Sequence, residues 1–241
     1  EAVVDKTYGD PSFYNELLDS SGRTSEYSSS DPSVAEINAV TGEITVRNAG
    51  TAIITARLPE TGNYVEGLAS FILNVRKAVY DMSNVIFRDK TTEYDGTKQA
   101  VFAEGLPEGV TAKYTGNDET DAGSYVVTAH FTGDEKNYEA IPDRTAVLTI
   151  TKKAVPLEFS YSYLTKAYGE AAFTNPLKAD SEGAEVVYAS GNTDVAAVDQ
   201  TGRVTINGVG TTTITVGIDE NGNYQKAFAS YELDVKKGEY D

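Results

Sequence analysis

The chain has 241 residues, of which 20 are Lys or Arg and 37 are Asp or Glu, so its net charge is −17. It has no Cys, no Trp and one His, which excludes a disulfide framework, a thiolate metal site and a thiol nucleophile. The negative charge repels phosphate backbones and anionic lipid, so we expect no nucleic-acid partner. No apolar run approaches the roughly 20 residues that cross a bilayer, and we expect no membrane insertion. Because neither an initiator Met nor a signal-peptide core is present, we expect an interior piece of a longer protein.

A repeat at 160 residues organises the chain. Lys6-Thr7-Tyr8-Gly9 returns as Lys166-Ala167-Tyr168-Gly169, and Gly62-Asn63-Tyr64 returns as Gly222-Asn223-Tyr224. A one-residue insertion sits in the middle of the match, where Tyr27, Val34 and Ile37 align with Tyr188, Val195 and Val198 at an offset of 161. The first and last thirds of the chain are therefore copies of one unit.

The residues between the two copies are more distant relatives of them. Asn137-Tyr138 follows Asn63-Tyr64 at an offset of 74 residues, and Lys152 follows Lys77 at an offset of 75. We therefore predict three domains over residues 1–77, 78–153 and 154–237, which we name the first, middle and last segments. Residues 238–241 are predicted to begin a further domain, because the tail resembles the sequence just after Lys77.

Apolar residues alternate with polar residues in every segment, which is typical of half-buried β-strands. The residues predicted to face inward are Ala52, Ile54, Ala56 and Leu58, Thr212, Ile214, Val216 and Ile218, Phe71, Leu73 and Val75, Ala146, Leu148 and Ile150, and Tyr231, Leu233 and Val235. Turn signals such as Thr41-Gly42 and Thr201-Gly202 separate the strands. The pattern predicts an all-β chain of three tandem immunoglobulin-like antiparallel β-sandwiches arranged end to end.

The middle segment carries the spacing of an immunoglobulin tyrosine corner. Asp121, Gly123, Tyr125 and Val127 alternate along the start of a predicted strand. In such a corner the Tyr hydroxyl bonds to backbone just upstream, and the residue two positions later faces the core. The alternative is a turn followed by an ordinary strand.

The first and last segments resemble a known family over most of their length. Tyr27, Asp31 to Ile37, Thr41 to Val46 and Ala49 to Ala56 are similar to the bacterial immunoglobulin-like group 2 domain of invasin/intimin-type surface proteins. The last segment repeats this likeness with Tyr188, Val195 to Val198, Thr201 to Thr205 and Gly210 to Thr215. The resemblance implies an extracellular or wall-attached protein whose repeated domains act as a stalk or adhesive surface. It implies no catalytic residue.

The middle segment resembles an MBG-type domain of bacterial surface proteins. The matching residues are Tyr94-Asp95-Gly96, Ala122 to Val127, Asn137-Tyr138 and Leu148 to Lys153. Together the two resemblances cover nearly the whole chain, and they are specific for fold rather than for function.

His130 is the one imidazole that could act as a general base. It lies between Ala129 and Phe131, so it faces outward if those neighbours face the core. The sequence indicates no partner for it, and an exposed surface residue is the simpler interpretation.

Paired carboxylates occur on several predicted loops. A catalytic pair needs a sugar-sized cleft, which an 80-residue sandwich rarely provides. Hard oxygen ligands on loops also suit Ca²⁺, although no stretch has the EF-hand pattern. The weak Ca²⁺ candidates are Asp118, Glu119, Asp121, Asp219, Glu220 and Asn221. Solvated acidic loops are the simplest interpretation, so we predict no cofactor and keep Ca²⁺ as an alternative.

An aromatic group is the best candidate for ligand binding. Phe159, Tyr161 and Tyr163 are predicted to share one face of a strand that has no clear copy in the first segment. Aromatic faces stack on sugar rings, so this patch suits a glycan. Most other Tyr residues recur in register with the repeat, which favours a structural role for them.

Basic pairs recur at the segment ends, as Arg76-Lys77, Lys152-Lys153 and Lys236-Lys237. One interpretation is protection of an edge strand by Lys. The other is that these cations contact acidic loops of the next segment and limit bending, which predicts a semi-rigid rod. A Lys–Asn isopeptide bond is a further alternative, and it needs a buried Lys.

We predict a non-enzymatic fragment of a bacterial cell-surface or secreted protein that serves as a stalk or adhesion array. One alternative is a binding module for a host glycan or host protein, and another is a set of accessory spacer domains in a large secreted glycoside hydrolase. The expected partners are other domains of the same chain. We expect a monomer at the cell surface, attached to the wall through a region outside this chain.

Overall fold

The computed structural model describes residues 2–15, 22–179 and 183–239. These residues form nineteen β-strands, and none of them lies in an α-helix. The all-β prediction is therefore confirmed. Tyr240 and Asp241, which belong to the predicted start of a further domain, lie outside the described residues.

The first segment is a sandwich of two sheets. Its strands are β1 (Ala2–Thr7), β2 (Glu26–Ser29), β3 (Ala35–Ile37), β4 (Ile44–Val46), β5 (Gly50–Leu58) and β6 (Gly67–Arg76). One sheet has the order β1-β6-β5-β2, and β3 pairs with β4 in the other. Buried side chains from both sheets meet in one core, which contains Val34, Ala35, Ile44, Ala52, Ile54, Phe71, Leu73 and Val75.

The middle segment has one four-stranded sheet. Its strands are β7 (Lys90–Glu93), β8 (Thr111–Thr115), β9 (Gly123–Thr132) and β10 (Arg144–Thr151), in the order β7-β10-β9-β8. The tyrosine-corner prediction is confirmed, because the Tyr125 hydroxyl donates to the Asp121 carbonyl oxygen at 2.8 Å and Val127 is fully buried. The Tyr125 hydroxyl oxygen packs closely over Gly123, where a Cβ would lie 2.9 Å from it.

The last segment repeats the sandwich of the first with three additional short strands. Its strands are β11 (Leu157–Phe159), β12 (Tyr163–Ala167), β13 (Phe173–Thr174), β14 (Leu177–Ala179), β15 (Val187–Ser190), β16 (Ala196–Val198), β17 (Arg203–Ile206), β18 (Gly210–Ile218) and β19 (Ala227–Lys236). The sheets are β12-β19-β18-β15, β13-β17-β16 and the pair β11-β14. Their shared core contains Phe159, Val195, Ala196, Val204, Ile214, Val216, Tyr231, Leu233 and Val235.

The alternating pattern of the closing strands explains these cores. Leu73, Leu148 and Leu233 occupy equivalent places in β6, β10 and β19, and each is fully buried. Burying a Leu side chain contributes about 1.5–3 kcal/mol, so the inward faces contribute strongly to the stability of each segment. The predicted inward faces are confirmed, with Ala56 half-buried rather than buried.

Each main sheet also contains one parallel strand pair, which alternation alone does not indicate. β1 runs parallel to β6, β7 to β10 and β12 to β19. The hairpins β5–β6 and β18–β19 are antiparallel, as predicted. In each segment an early strand therefore lies along the closing strand.

The chain divides into two compact units, and the division passes through the middle segment. The first unit comprises Glu1–Phe87, Phe102–Thr115 and Thr128–Thr145, and the second comprises Arg88–Val101, Gly116–Val127 and Ala146–Asp241. The residues that join the first and middle segments lie in the first unit, and those that join the middle and last segments lie in the second.

Candidate functional site

The junction of the first and middle segments is organised by the Asn137 side chain, which is only 5% exposed. Its Oδ1 accepts a hydrogen bond from the Ala49 N–H at 2.9 Å. Its Nδ2 donates to Asn48 Oδ1 at 3.1 Å and to Asp134 Oδ2 at 2.8 Å. Both polar ends of the amide are therefore satisfied, as burial requires.

Backbone and lysine contacts reinforce this junction. The Ala78 N–H donates to the Asn137 carbonyl oxygen at 2.9 Å, and the Glu139 N–H donates to the Ala78 carbonyl oxygen at 2.8 Å. Lys77 Nζ donates to the Glu135 carbonyl oxygen at 2.5 Å. Ala78, which links the two segments, therefore pairs with the backbone around Tyr138 as in a short parallel strand.

Three tyrosine rings complete the same junction. Tyr138 stacks on Tyr80 with centroids 3.9 Å apart, and it meets Tyr8 edge to face at 5.5 Å. Such ring pairs add about 0.5–1.5 kcal/mol each beyond the area that they bury. Tyr8 comes from the first segment, so the rings connect the two segments.

The junction of the middle and last segments repeats these contacts with other residues. Asn223 Oδ1 accepts from the Ala122 N–H at 2.8 Å, and Asn223 Nδ2 donates to Asp121 Oδ1 at 3.0 Å. The Lys153 N–H donates to the Asn223 carbonyl oxygen at 2.9 Å, and the Gln225 N–H donates to the Lys153 carbonyl oxygen at 3.0 Å.

An ion pair and a ring pair complete this second junction. Lys152 Nζ lies 2.6 Å from Glu220 Oε1, and Tyr224 meets Tyr94 edge to face at 5.5 Å. The hydrogen bond and charge of Lys152 lower the pKa of the Glu220 carboxyl below its ordinary value. We name this shared arrangement the Asn-Tyr lock. It consists of an Asn-Tyr loop in one segment, the Ala N–H, Lys and Tyr of the segment before it, and the linker residue at the boundary, which is Ala78 in the first junction and Lys153 in the second.

The two junctions partly confirm the prediction that the basic pairs contact acidic loops of the next segment. Lys152 contacts an acidic side chain of the next segment, whereas Lys77 contacts a backbone carbonyl there. Arg76 and Lys236 instead pair with Asp5 and Asp234 of their own segments. The role of the Asn side chains is not foreseen from sequence, although the recurrence of Asn-Tyr at offsets of 74 and 160 is its visible signal.

His130 has two partners that the sequence does not indicate. Its Nδ1 lies 2.8 Å from Asp143 Oδ2, and its Nε2 lies 3.1 Å from Thr115 Oγ1. The hydroxyl–imidazole–carboxylate order is that of a catalytic triad. The side chains of His130 and Asp143 are 42% and 52% exposed on a strand face, so they are in contact with water rather than enclosed around a substrate. The array is best described as a surface hydrogen-bond chain.

The weak Ca²⁺ candidates do not form one ligand cluster. Asp121 and Glu220 are engaged in the second junction, and Asn221 Oδ1 accepts from the backbone N–H groups of Asn223 and Tyr224. Glu119 pairs with Gln99 through its backbone. Within residues 2–15, 22–179 and 183–239, no group of three or more His, Cys, Asp or Glu side chains is arranged to hold a metal ion. Ca²⁺ binding by these residues, Asp118 and Asp219 among them, stays a prediction.

The predicted aromatic patch requires a correction. Phe159 ends β11 and Tyr163 begins β12, which belong to different sheets, so the three residues do not share one strand face. Phe159 is buried and meets Tyr231 edge to face at 4.8 Å. Tyr161 and Tyr163 are 58% and 50% exposed, and they alone of the three are available to a ligand. The alternation rule fails here because the chain changes sheets between residues 159 and 163.

A cavity of about 330 Å³ lies in the first segment, lined by Tyr27, Ile44, Ile54 and Phe71 among others. In the last segment the Phe159 ring contacts Tyr188 and Tyr231, which match Tyr27 and Phe71 in the repeat. Two residues that line the cavity, Tyr27 and Phe71, therefore match residues that contact the Phe159 ring in the last segment.

No Lys is buried among the described residues, and an isopeptide bond would need one. Among the described residues, the buried polar side chains are Asn137, Asn175 and Thr212. Asn175 Oδ1 accepts a hydrogen bond from the Tyr161 N–H, and Asn175 Nδ2 donates to the Tyr161 carbonyl oxygen. In the same part of the chain, no helix has the length and apolar character needed to cross a membrane.

Comparison with protein families supports immunoglobulin-like domains. A family model described as the immunoglobulin-like domain of intimin matches residues 14–57 and 172–218, which is less than half of the chain. The two matches fall at corresponding places in the first and last segments. No curated protein matches the chain.

Solved structures of tandem domains are similar to the chain at low identity. Mouse protocadherin-24 EC1-3 is 13% identical with a TM-score of 0.41, and the match covers 98% of this chain and 97% of that one. Drosophila N-cadherin EC1-4 is 11% identical with a TM-score of 0.34, covering 98% and 72%. Domains 1-6 of the surface layer protein SbsC are 17% identical with a TM-score of 0.33, covering 92% and 36%.

Proposed function

We propose that the chain is a non-enzymatic part of a bacterial cell-surface or secreted protein, where it serves as a stalk or adhesion array. In this proposal the first and last segments are intimin-like immunoglobulin domains, and the middle segment is an MBG-type domain. The observation that carries the proposal is the repetition of the Asn-Tyr lock at both junctions, where the Asn Oδ1 accepts a hydrogen bond from an Ala N–H of the segment before it. Repeated hydrogen-bonded junctions support a chain that holds successive domains in a fixed orientation.

The surface location is part of the same proposal. The intimin-like family match and the resemblance to surface-protein domains support an extracellular site. The acidic composition supports it too, since a net charge of −17 keeps an extended array soluble and limits non-specific contact. Wall attachment would depend on other parts of the protein.

Spin-label distances across a junction test the stalk role. The chain has no Cys, so Val40→Cys and Lys113→Cys place two labels at exposed positions of the first unit. We expect a narrow distance distribution, because the Asn-Tyr lock fixes the linker backbone. Asn137→Ala should broaden it, and Asn63→Ala, at the matching exposed loop position of the first segment, should not.

A broad distribution in the unmodified chain would contradict the stalk role. It would show that the junction bends freely despite its hydrogen bonds. An unchanged width in Asn137→Ala would show that the Asn side chain does not govern the orientation.

The alternative function is binding of a host glycan or protein, and the exposure of Tyr161 and Tyr163 favours it. Neighbouring exposed phenol rings offer faces for sugar stacking. Saturation-transfer NMR with a glycan library should then show contacts that Tyr161→Ala removes and Tyr14→Ala, at a similarly exposed ring in the first segment, leaves intact. If no glycan responds, the alternative loses its only support.

A further inference from the structure

The last segment contains both Asn-Gly dipeptides of the chain, Asn207-Gly208 and Asn221-Gly222, and each lies on a loop between strands. In such a pair the backbone nitrogen of Gly can attack the side-chain carbonyl carbon (Cγ) of Asn, because glycine has no side chain to block the approach. The folded surroundings decide whether this attack occurs. The two dipeptides have opposite surroundings.

The surroundings of Asn221 favour the attack. Asn221 Oδ1 accepts hydrogen bonds from the N–H groups of Asn223 at 2.8 Å and Tyr224 at 2.9 Å. This oxygen takes up the negative charge that develops when a nitrogen adds to Cγ, so the two donors act as an oxyanion hole. Gly222 is exposed, and a Cβ there would meet nothing within 4 Å. Among the residues that the structure describes, no acceptor holds the Gly222 N–H.

The surroundings of Asn207 oppose the same attack. The Gly208 N–H donates to the Val195 carbonyl oxygen at 3.0 Å, so the nitrogen that would attack is held in place with its proton. Asn207 Nδ2, the group that would leave as ammonia, donates to the Thr193 carbonyl oxygen at 2.8 Å. The backbone is also closely packed, since a Cβ at Gly208 would lie 2.6 Å from the Asp194 carbonyl oxygen.

We propose that Asn221 is a site of spontaneous deamidation through Gly222. The Gly222 nitrogen forms a bond to Cγ of Asn221 and gives its proton to water. The Cγ–Nδ2 bond then breaks, and the amide group takes up a proton from water and leaves as ammonia. Water opens the cyclic imide at either carbonyl group and gives aspartate or isoaspartate, so one water is consumed for each ammonia released. The inference goes beyond the proposed function, which assigns no covalent change to the chain.

Isoaspartate at position 221 loosens the second junction. It adds a methylene group to the backbone and moves the side-chain oxygens away from the two N–H groups that Asn221 Oδ1 holds. Those N–H groups belong to Asn223 and Tyr224, and the Asn223 side chain bonds to the Ala122 N–H across the junction. The loop that presents Asn223 to the middle segment therefore loses its turn.

The first junction has a carboxylate in the corresponding role. Asp134 Oδ1 accepts hydrogen bonds from the N–H groups of Lys136 at 3.0 Å and Asn137 at 3.4 Å. Asp134 has no side-chain amide to lose. Deamidation at an Asn-Gly pair therefore affects the second junction and leaves the first one intact.

Peptide mapping of the full chain tests the site. Folded protein is incubated at physiological temperature and mildly alkaline pH, and its peptides are analysed by mass spectrometry and isoaspartate methyltransferase labelling. We expect Asn221 to deamidate at least about tenfold faster than Asn207, which is part of the roughly 10²–10³-fold effect of an oxyanion donor in enzymes. Gly222→Ala, which open space accommodates, should slow the reaction at Asn221 and leave Asn207 unchanged.

Unfolded protein is the matched control. In urea both dipeptides lose their surroundings, so their deamidation rates should become similar. Equal rates at Asn207 and Asn221 in the folded chain would overturn the proposal. A preference for Asn221 that has the same size in urea would overturn it too, because the folded surroundings would then have no effect.

Amide hydrogen exchange tests the consequence for the junction. In protein that contains isoaspartate at position 221, exchange of the Ala122 N–H should become faster, while the Ala49 N–H of the first junction should keep its rate. Asn221→Asp adds the charge without the methylene group, so it should keep most of the protection of Ala122. Unchanged exchange at Ala122 after full conversion would overturn the loosening of the second junction.

Discussion

At the scale of single residues, Tyr231 places an unpaired hydroxyl in the core of the last segment. The side chain is 2% exposed, and its hydroxyl has no hydrogen-bond partner among the described residues. Burial, with a smaller contribution from Tyr188, raises the pKa of Tyr231 to about 12. The first segment has Phe71 at the matching position, so the fold accepts the same ring without the hydroxyl.

We expect Tyr231→Phe to stabilise the second unit by about 1 kcal/mol, because it removes an unpaired buried hydroxyl. Urea denaturation at pH 7 would measure the change. The variant should also be less sensitive to alkali. A folded-state pKa above the ordinary 10.0 gives stability that is present below pH 10 and lost as the pH rises towards 12. A loss of stability in Tyr231→Phe would mean that the hydroxyl is satisfied in solution.

Asn137 is the residue on which the first junction depends. Replacing it with Ala leaves the Ala49 N–H and the Asn48 side chain without their partner, and unsatisfied buried groups cost about 1–3 kcal/mol. Thermal unfolding of Asn137→Ala should therefore show a destabilised first unit. Asn63→Ala, at an exposed copy of the same loop position, should change stability by less than about 0.5 kcal/mol at low protein concentration.

At the scale of elements, the turn before β4 needs a glycine at position 42 for two separate reasons, the backbone conformation and the lack of space for a side chain. Gly42 has φ of 74°, and a Cβ there would lie 2.9 Å from a ring carbon of Tyr27. Gly9 also has a positive φ, 91°, but a Cβ there would meet nothing within 4 Å. A comparison of Gly9 with Gly42 therefore separates the free-energy cost of the left-handed backbone from the cost of a steric clash with the Tyr27 ring.

We expect Gly9→Ala to destabilise the first unit by about 1–2 kcal/mol, from the left-handed backbone alone. Gly42→Ala should cost about 1–3 kcal/mol more, because the Tyr27 ring must move out of its packed position. Chemical denaturation of both variants gives the comparison. Equal costs would show that the Tyr27 ring shifts freely.

The loop that carries Asn137 should also respond to acid. The hydrogen bond from the Asn137 side chain lowers the pKa of Asp134 below its ordinary 3.8, so the stability from this carboxylate is present above that value. It is lost as the pH falls through the lowered pKa. Melting temperatures of the parent and Asp134→Asn should differ at pH 6 and converge near pH 2. Glu139→Gln, at an exposed carboxylate of the same loop, is the control.

Sequence patterns predicted the strands better than their arrangement. Alternation places Leu73, Leu148 and Leu233 in the core correctly, because burial of one strand face is a local property with a period of two residues. The sheet change between Phe159 and Tyr163 and the parallel pairing of early and closing strands depend on contacts between distant residues, which alternation does not encode. The Asn-Tyr lock was visible only as a repeated dipeptide, since its partners lie 88 and 101 residues away.

At the scale of the whole molecule, each compact unit contains one Asn-Tyr lock. We expect the stability changes of Asn137→Ala and Asn223→Ala to add in the double variant to within about 0.5 kcal/mol, because the two sites share no partner. Calorimetry of both single variants and the double variant would test this. A marked departure from additivity would show that the two junctions are coupled through the middle segment.

The parallel pairing of β1 with β6 has a consequence for a protein under load. Their register runs from Ala2 opposite Phe71 to Thr7 opposite Arg76, so the chain enters the first segment at one end of the pair and leaves it at the other. A pull on the two ends slides these strands along each other, and the interstrand hydrogen bonds resist in shear, all at once. An antiparallel pair at the same place would be peeled apart one bond at a time. β12 and β19 repeat the geometry, so the first and last segments are both built to withstand tension along the chain.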